Sequence, residues 1–432
     1  MSLSHEGFEA LASAIDDSIS RHTERYVGVL RRLVQFPSEV GTAMNAVQEY
    51  LAQEMVAAGL EPEMWAPSVR ELSESDWFQP LQEHYEGRDR LDDRPVLVGR
   101  WGRGEGPSLL ISGHVDVVPP GPLDQWTVEP YAGEIHNDRL YGRGAIDCKA
   151  GLAAAVSAVD CLRDVGFEPN GSVVVESTVD QEIGGAGAIA ARIRGIRADA
   201  AITTEPTGTE VALASAGVFW VRVTVQGVAA HAAETWKGRN ALNMATSIHE
   251  AVRAWGEGRE QSIRHPLYSE YPVHATFNPG TFRSGGYPST VPDQAVLEYR
   301  VGLVPGETVS VVLDQLLEVI RTAESRSDWL TDHPSNVELF GYYGEPTEIA
   351  DTHPLTRSVA SAFEKVKGRL PRFTGFTAAC DMGKLQHLGG MPVLNIGCAG
   401  GGWHQPDEFA DLAEYRRLIA ILALSIAGWC SA

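Results

Sequence analysis

The sequence predicts an α/β protein: a mostly parallel sheet with helices on both faces, interrupted by a ferredoxin-like α+β unit. Three observations predict it. First, strand-like apolar runs at Val96 to Arg100, Leu109 to Ser112, Ser172 to Thr178 and Ala200 to Thr204 alternate with helical ones at Leu152 to Val165 and Gly185 to Arg194. Second, the order changes after Glu205-Pro206-Thr207. Val218 to Gln226 reads as a strand, Ala241 to Trp255 as a helix, His274 to Phe282 and Gln294 to Val304 as two strands, Val309 to Thr322 as a helix and Val337 to Tyr342 as a last strand. That order is the split β-α-β-β-α-β arrangement. Third, α/β character returns with helix Leu355 to Lys367 and strand Met391 to Ile396. Residues 213–343 therefore read as an insertion, and 1–212 with 344–432 as the domain it interrupts.

With 432 residues the chain exceeds one typical core, so two domains are the default. The net charge of −22 argues against a nucleic-acid or anionic-membrane partner, because no segment clusters the Lys and Arg that phosphate binding needs. Five cysteines, Cys148, Cys161, Cys380, Cys398 and Cys430, form no C-x-x-C pair and suit free thiols in a reducing compartment. The first thirty residues are polar and helix-patterned, with no basic region followed by an apolar core; a cytoplasmic protein is expected. Leu418 to Cys430, the most apolar stretch, is too short to span roughly 30 Å of hydrocarbon and reads as a buried terminal helix.

Near the N-terminus, helical periodicity covers Thr23 to Val34 and Ala43 to Gly59, and the charged passage from Ser73 to Pro95 reads as a surface loop or insertion. The buried run Leu109 to Ser112 then delivers His114 and Asp116 at a strand's carboxyl end. Two apart on extended chain, they lie on one side, so the Asp116 carboxylate can brace the His114 imidazole. An isolated His-x-Asp is more often a strand-end turn with a satisfied histidine. Here, however, a glycine-rich turn delivers Asp147, and Glu182, Glu205 and His404 also follow strand-like runs. Ligand sites of such sheets gather beyond the strands' carboxyl ends.

Two imidazoles and three carboxylates without sulfur suit Zn²⁺, Mn²⁺ or Co²⁺. Five side chains exceed what one four-coordinate catalytic ion needs, whereas one bridging carboxylate would let them hold two. The motifs SGHVDVVP, YGRGAIDCKAG, DQEIGG, TTEPT, GWHQPDE and GVAAHAAETWKGRNAL occur in this order apart from the last, which lies in the inserted unit. In these motifs the chain resembles the M20 metallopeptidase and deacylase family over nearly its whole length.

The resemblance implies a hydrolase of the amide bond in a small N-acyl amino acid or related molecule, dependent on two divalent ions, zinc with manganese or cobalt as alternatives. It places His114 and Glu205 on one ion, Glu182 and His404 on the other and Asp147 between them, with Asp116 orienting His114. It makes the insertion a lid that also forms a homodimer, and gives His231 the role of reaching the partner subunit's site to stabilise an oxyanion. Asn278 and Arg300 stand where relatives bind a substrate carboxylate. Lys149 and Arg143 read as structural or surface charges and Cys148 as a packing residue. The segment QEIGGAGAIAARIRG followed by EPT is most similar to the acetylornithine-deacetylase branch; a peptidase or an aminohydrolase of unusual small molecules is the alternative. Hinges are expected near Ala212 to Gly217 and Gly341 to Glu345, which flank the insertion with small residues.

One position departs from the family pattern. Relatives carry paired glutamates before x-Gly-Gly, the first a general base and the second a ligand, where this chain has Gln181-Glu182. An amide can orient water but cannot accept and return a proton. An engineered Glu-to-Gln variant, a natural enzyme with another proton route and a ligand-binding relative without turnover are three explanations. Asp180 is the nearest spare carboxylate, but adjacent residues after a strand tend to point to opposite sides.

Overall fold

The computed structural model describes residues 5–431. Its main sheet runs, edge to edge, Glu61–Trp65, Val96–Gly102, Ser172–Thr178, Ser108–His114, Ala200–Thr203, Val393–Asn395, Val211–Ser215 and Thr347–Glu348, with Phe373–Phe376 also on Val211–Ser215. The four central strands are parallel and the pairs flanking them antiparallel. Strands buried on both faces need continuous apolar runs. Leu109, Leu110 and Ile111 supply one, and each is fully buried.

Helices His5–Val34, Ala150–Asp164, Pro354–Lys367 and Leu412–Cys430 pack on one another and close the core over the sheet. The terminal helix is buried along most of its length, as its composition predicts. No helix among the described residues is long and apolar enough to cross a membrane. All five cysteines are free and buried.

Between Gly217 and Gly344 lies a second, antiparallel sheet in the order Phe277–Ser284, Gln294–Leu303, Gly217–Gln226, Asn336–Gly344. Helices Ala241–Ser262 and Val309–Glu324 cover one face, burying Phe219, Val221, Val223 and Val225 with Leu297, Tyr299 and Val301. Side chains alternate along a strand, so Trp220, Arg222, Glu298 and Arg300 share the other face.

Two features differ from the sequence reading. The passage Ser73 to Pro95 is no plain surface loop: with the short helices Val69–Leu72 and Gln82–Tyr85 it buries Leu72, Phe78, Tyr85 and Leu91 against Ile183, Ala186, Ile189 and Ala190. Its charges masked three well-spaced apolar anchors, Phe78, Tyr85 and Leu91. A small third sheet, Gly400–Gly401, Phe409–Asp411, Arg139–Tyr141, Glu134–His136, was not foreseen because its strands have only two or three residues. It zips the chain leading to Asp147 beside the chain around His404, pairing Tyr141 with Phe409.

Candidate metal centre and active site

His114 ends the central strand with its ring buried. Its Nδ1 lies 2.9 Å from the Asp116 main-chain oxygen. A carbonyl only accepts, so Nδ1 donates to it and Nε2 is the nitrogen left to face the carboxylates. Nε2 faces Asp147, whose Oδ1 is 3.2 Å away, and Glu205 Oε2, 3.7 Å away. The Asp116 main-chain oxygen takes the Nδ1 hydrogen bond, while the Asp116 carboxylate Oδ1 stands 3.6 Å from Nδ1, within ion-pair reach. The other oxygen of Asp116 accepts the Glu182 amide N–H at 3.0 Å, tying the histidine strand to the glutamate turn.

Asp147 faces both histidines. Its Oδ1 meets His114 and its Oδ2 lies 3.4 Å from His404 Nε2, which in turn lies 3.0 Å from Glu182 Oε1. The five expected side chains therefore converge, although up to 290 positions separate them along the chain. Two ligand atoms each about 2.1 Å from one ion at a near-tetrahedral angle sit about 3.4 Å apart. The donor spacings here, 3.0 to 3.7 Å, fit such an ion on either side of Asp147.

Charge balance points the same way. Burial pushes Glu205 up to about 7, partly offset by His114. Hydrogen bonds to Asp147 and Glu182 push His404 up to about 10. Burial raises Asp147 but its two histidines overcome that and hold it below the usual carboxylate range. Burial would lower His114, yet Cys148, Glu205 and Asp147 raise it well above its ordinary value. Both imidazoles sit among carboxylates that favour their charged form.

The remaining expectations divide. Arg143 is structural, as read: its guanidinium pairs with Glu408, and the two are buried. Glu408 escaped the sequence reading although it closes the motif GWHQPDE. Its carboxylate accepts the backbone N–H of Gly144, Ile146 and Asp147, so it shapes the turn that presents Asp147. Lys149 is buried and donates to the Phe36 main-chain oxygen. Cys148 packs as expected, its thiol 3.5 Å from Thr204 Oγ1, but it also lies within 4.8 Å of a His114 nitrogen and a Glu205 oxygen. Burial and Glu205 push it up to about 12, so it stays a thiol.

Asp180 has one oxygen engaged, while its Oδ1 is buried without a hydrogen-bond partner among the described residues. Its Oδ2 accepts Tyr85 Oη at 2.8 Å and Arg94 Nη1 at 2.7 Å, both from the passage first read as loop. Gln181 is buried, with its amide 3.5 Å from the Ala379 oxygen.

The three lid residues do not join the cluster. His231 is exposed, and its Nδ1 accepts the Ala233 N–H at 3.0 Å. Asn278 and Arg300 sit opposite one another on adjacent strands and line a cavity of about 260 Å³ with Trp220, Thr281 and Phe340. Arg300 donates to Thr276 Oγ1 at 2.7 Å, and among the described residues no carboxylate pairs with it.

Residues 110–427 match the family model described as peptidase family M20/M25/M40. The chain belongs to this family. Succinyl-diaminopimelate desuccinylase of Rhodopseudomonas palustris (strain BisA53) is 29% identical over 342 residues, covering 75% of this chain and 83% of the relative. N-formyl-4-amino-5-aminomethyl-2-methylpyrimidine deformylase of Bacillus subtilis (strain 168) is 22% identical over an alignment of 445 residues covering 97% of each. Among solved structures, the M20 family metallo-carboxypeptidase Sso-CP2 from Sulfolobus solfataricus has the same fold, with a TM-score of 0.72 at 18% identity over 94% of this chain and 99% of that one. Membership of the M20 family makes the chain a hydrolase of the amidohydrolase and peptidase kind and implies divalent metal ions.

Proposed function

We propose that this M20 protein hydrolyses the C–N amide bond of a small N-acyl amino acid or a related N-acyl amine at a two-ion centre. The observation that carries it is Asp147 with one oxygen on each histidine, flanked by Glu205 beside His114 and Glu182 beside His404. Divalent ions held there supply Lewis-acid polarisation of the scissile carbonyl and make a nearby water acidic; zinc suits the donors best, with Mn²⁺ or Co²⁺ as substitutes.

The chain's own groups do the rest. Glu408 and Asp116 hold Asp147, His114 and Glu182 in register. Gln181 would orient water through its amide but takes no proton, so slow turnover is expected of this chain. Arg300 and Asn278 meet a substrate carboxylate. His231, exposed on the lid, serves the partner's site in a lid-mediated homodimer and stabilises the oxyanion there. Acetylornithine is one candidate within the class; the desuccinylase and deformylase relatives also release an acyl group from an amine.

The test is turnover of a panel of N-acyl amino acids and dipeptides by the zinc-loaded protein, beside Gln181→Glu. Release of amine by either protein, lost on chelation, is expected. Stoichiometric binding of these compounds with no amine from either protein would instead make it a ligand-binding member of the family.

A further inference from the structure

The open face of the lid sheet carries more than a carboxylate anchor. Trp220 and Phe340, with ring centroids 5.7 Å apart and planes inclined at 58°, form an apolar corner beside Arg300. The Arg222 guanidinium caps the outer side of Phe340 at 4.1 Å from its centroid. The acid nearest the corner, Glu298, is already satisfied by Arg222 at 2.9 Å and Thr281 at 2.6 Å, so it offers no free charge to an incoming amine. What stays open is an aromatic wall with one unpaired guanidinium at its edge.

This corner adjoins the metal turn. Gly184 lies two residues after Glu182, and a Cβ on it would stand 2.6 Å from the Gly341 oxygen of the lid strand. Gly341, in turn, packs on the Trp220 indole, where a Cβ would stand 2.4 Å from the ring. Gly184, Gly341 and Trp220 are thus successive layers. The far side of Trp220 approaches Tyr342, 6.4 Å away, whose hydroxyl lies 3.4 Å from buried Lys384.

We propose that the Trp220–Phe340 corner receives the aromatic side chain of the substrate's amine half while Arg300 takes the carboxylate on the same carbon, making N-acylated aromatic amino acids the preferred substrates. This rests on the amidohydrolase reading above. Size agrees: a cavity of roughly 150 Å³ holds benzene, and about 260 Å³ takes a phenyl ring with its carboxylate. Chemistry agrees too, because ring-to-ring contact adds to plain burial and the guanidinium pairs with a carboxylate in two-toothed fashion.

The experiment compares kcat/KM of the zinc-loaded full chain for N-acetyl-L-phenylalanine, N-acetyl-L-alanine and N-succinyl-LL-diaminopimelate, using Gln181→Glu if the native rate is low. Calorimetric binding of L-phenylalanine runs in parallel. The expected result is a preference of about tenfold or more for the phenylalanine compound. Trp220→Leu and Phe340→Leu should each narrow that ratio, mainly through KM, and weaken L-phenylalanine binding at unchanged metal content. Equal rates for the alanine and phenylalanine compounds, preference for the dicarboxylate, or L-phenylalanine binding indifferent to both substitutions would overturn it. If no N-acyl compound is turned over by either protein, the hydrolase reading fails, and L-phenylalanine binding alone decides the corner.

Discussion

Around Asp147 the chain supplies every partner itself: each carboxylate oxygen meets an imidazole, each imidazole meets a second carboxylate, and Glu408 with Arg143 fixes the turn from behind. Around Arg300 it does not, since one neutral hydroxyl is the cation's hydrogen-bond partner and the cavity beside it is open. His231 likewise faces solvent. Buried polar groups without partners are costly, so a site meant to hold small cations is pre-assembled from residues that can share protons until the ions arrive. In the function proposed above, the lid surface around Arg300 and His231 keeps its charge for a substrate or a second subunit. The large sheet and the lid therefore divide one task, and each half can be perturbed separately.

The largest effect is expected on the metal side, at Gln181. Gln181→Glu restores a proton acceptor and should raise kcat by about 10²- to 10⁴-fold with unchanged metal content; an unaltered rate would mean that proton transfer bypasses this position. On the lid side, His231→Ala should lower kcat by about 10²- to 10³-fold, as for loss of an oxyanion donor, again without loss of metal. Mixed with His404→Ala chains it should regain activity, because each mixed dimer has one complete site; absence of any rescue would place His231 outside the partner's site.

A smaller effect is expected behind the metal turn. Glu408→Gln leaves Arg143 buried beside a neutral amide and loosens the Asp147 turn, which should weaken metal affinity by about 10- to 100-fold, read by competition with a chromogenic chelator. An unchanged affinity would detach Glu408 from the site. The smallest concerns protons. His404, raised to about 10 in the metal-free protein, must lose its proton to accept a cation. At pH 8 metal binding should therefore release at least one proton per chain, and affinity should climb with pH by about tenfold per unit until pH approaches 10, then level off. Titration in unbuffered solution measures it; a pH-independent affinity would show that His404 is not displaced.

The same contrast governs what the sequence discloses. His114, Asp147, Glu182, Glu205 and His404 were legible because each stands in a dense local motif just past a strand or tight turn. Their supports were not: Arg94 and Tyr85 come from a charged passage with no motif, and they hold Asp180 only because two distant segments fold together. The two-residue strands that bring Asp147 to His404 carry too few residues for any alternation to register. On the lid, the strand and helix order could be read from periodicity, but the Trp220–Phe340 corner could not, since it joins side chains 120 positions apart across a bulged strand pair.

We propose that Asp147 bridges two cations. Elemental analysis of the purified protein dialysed against zinc, beside His404→Ala treated identically, tests it most directly. Two ions per native chain and one per variant chain are predicted; equal metal content in the two proteins, or one ion in the native chain, would contradict it.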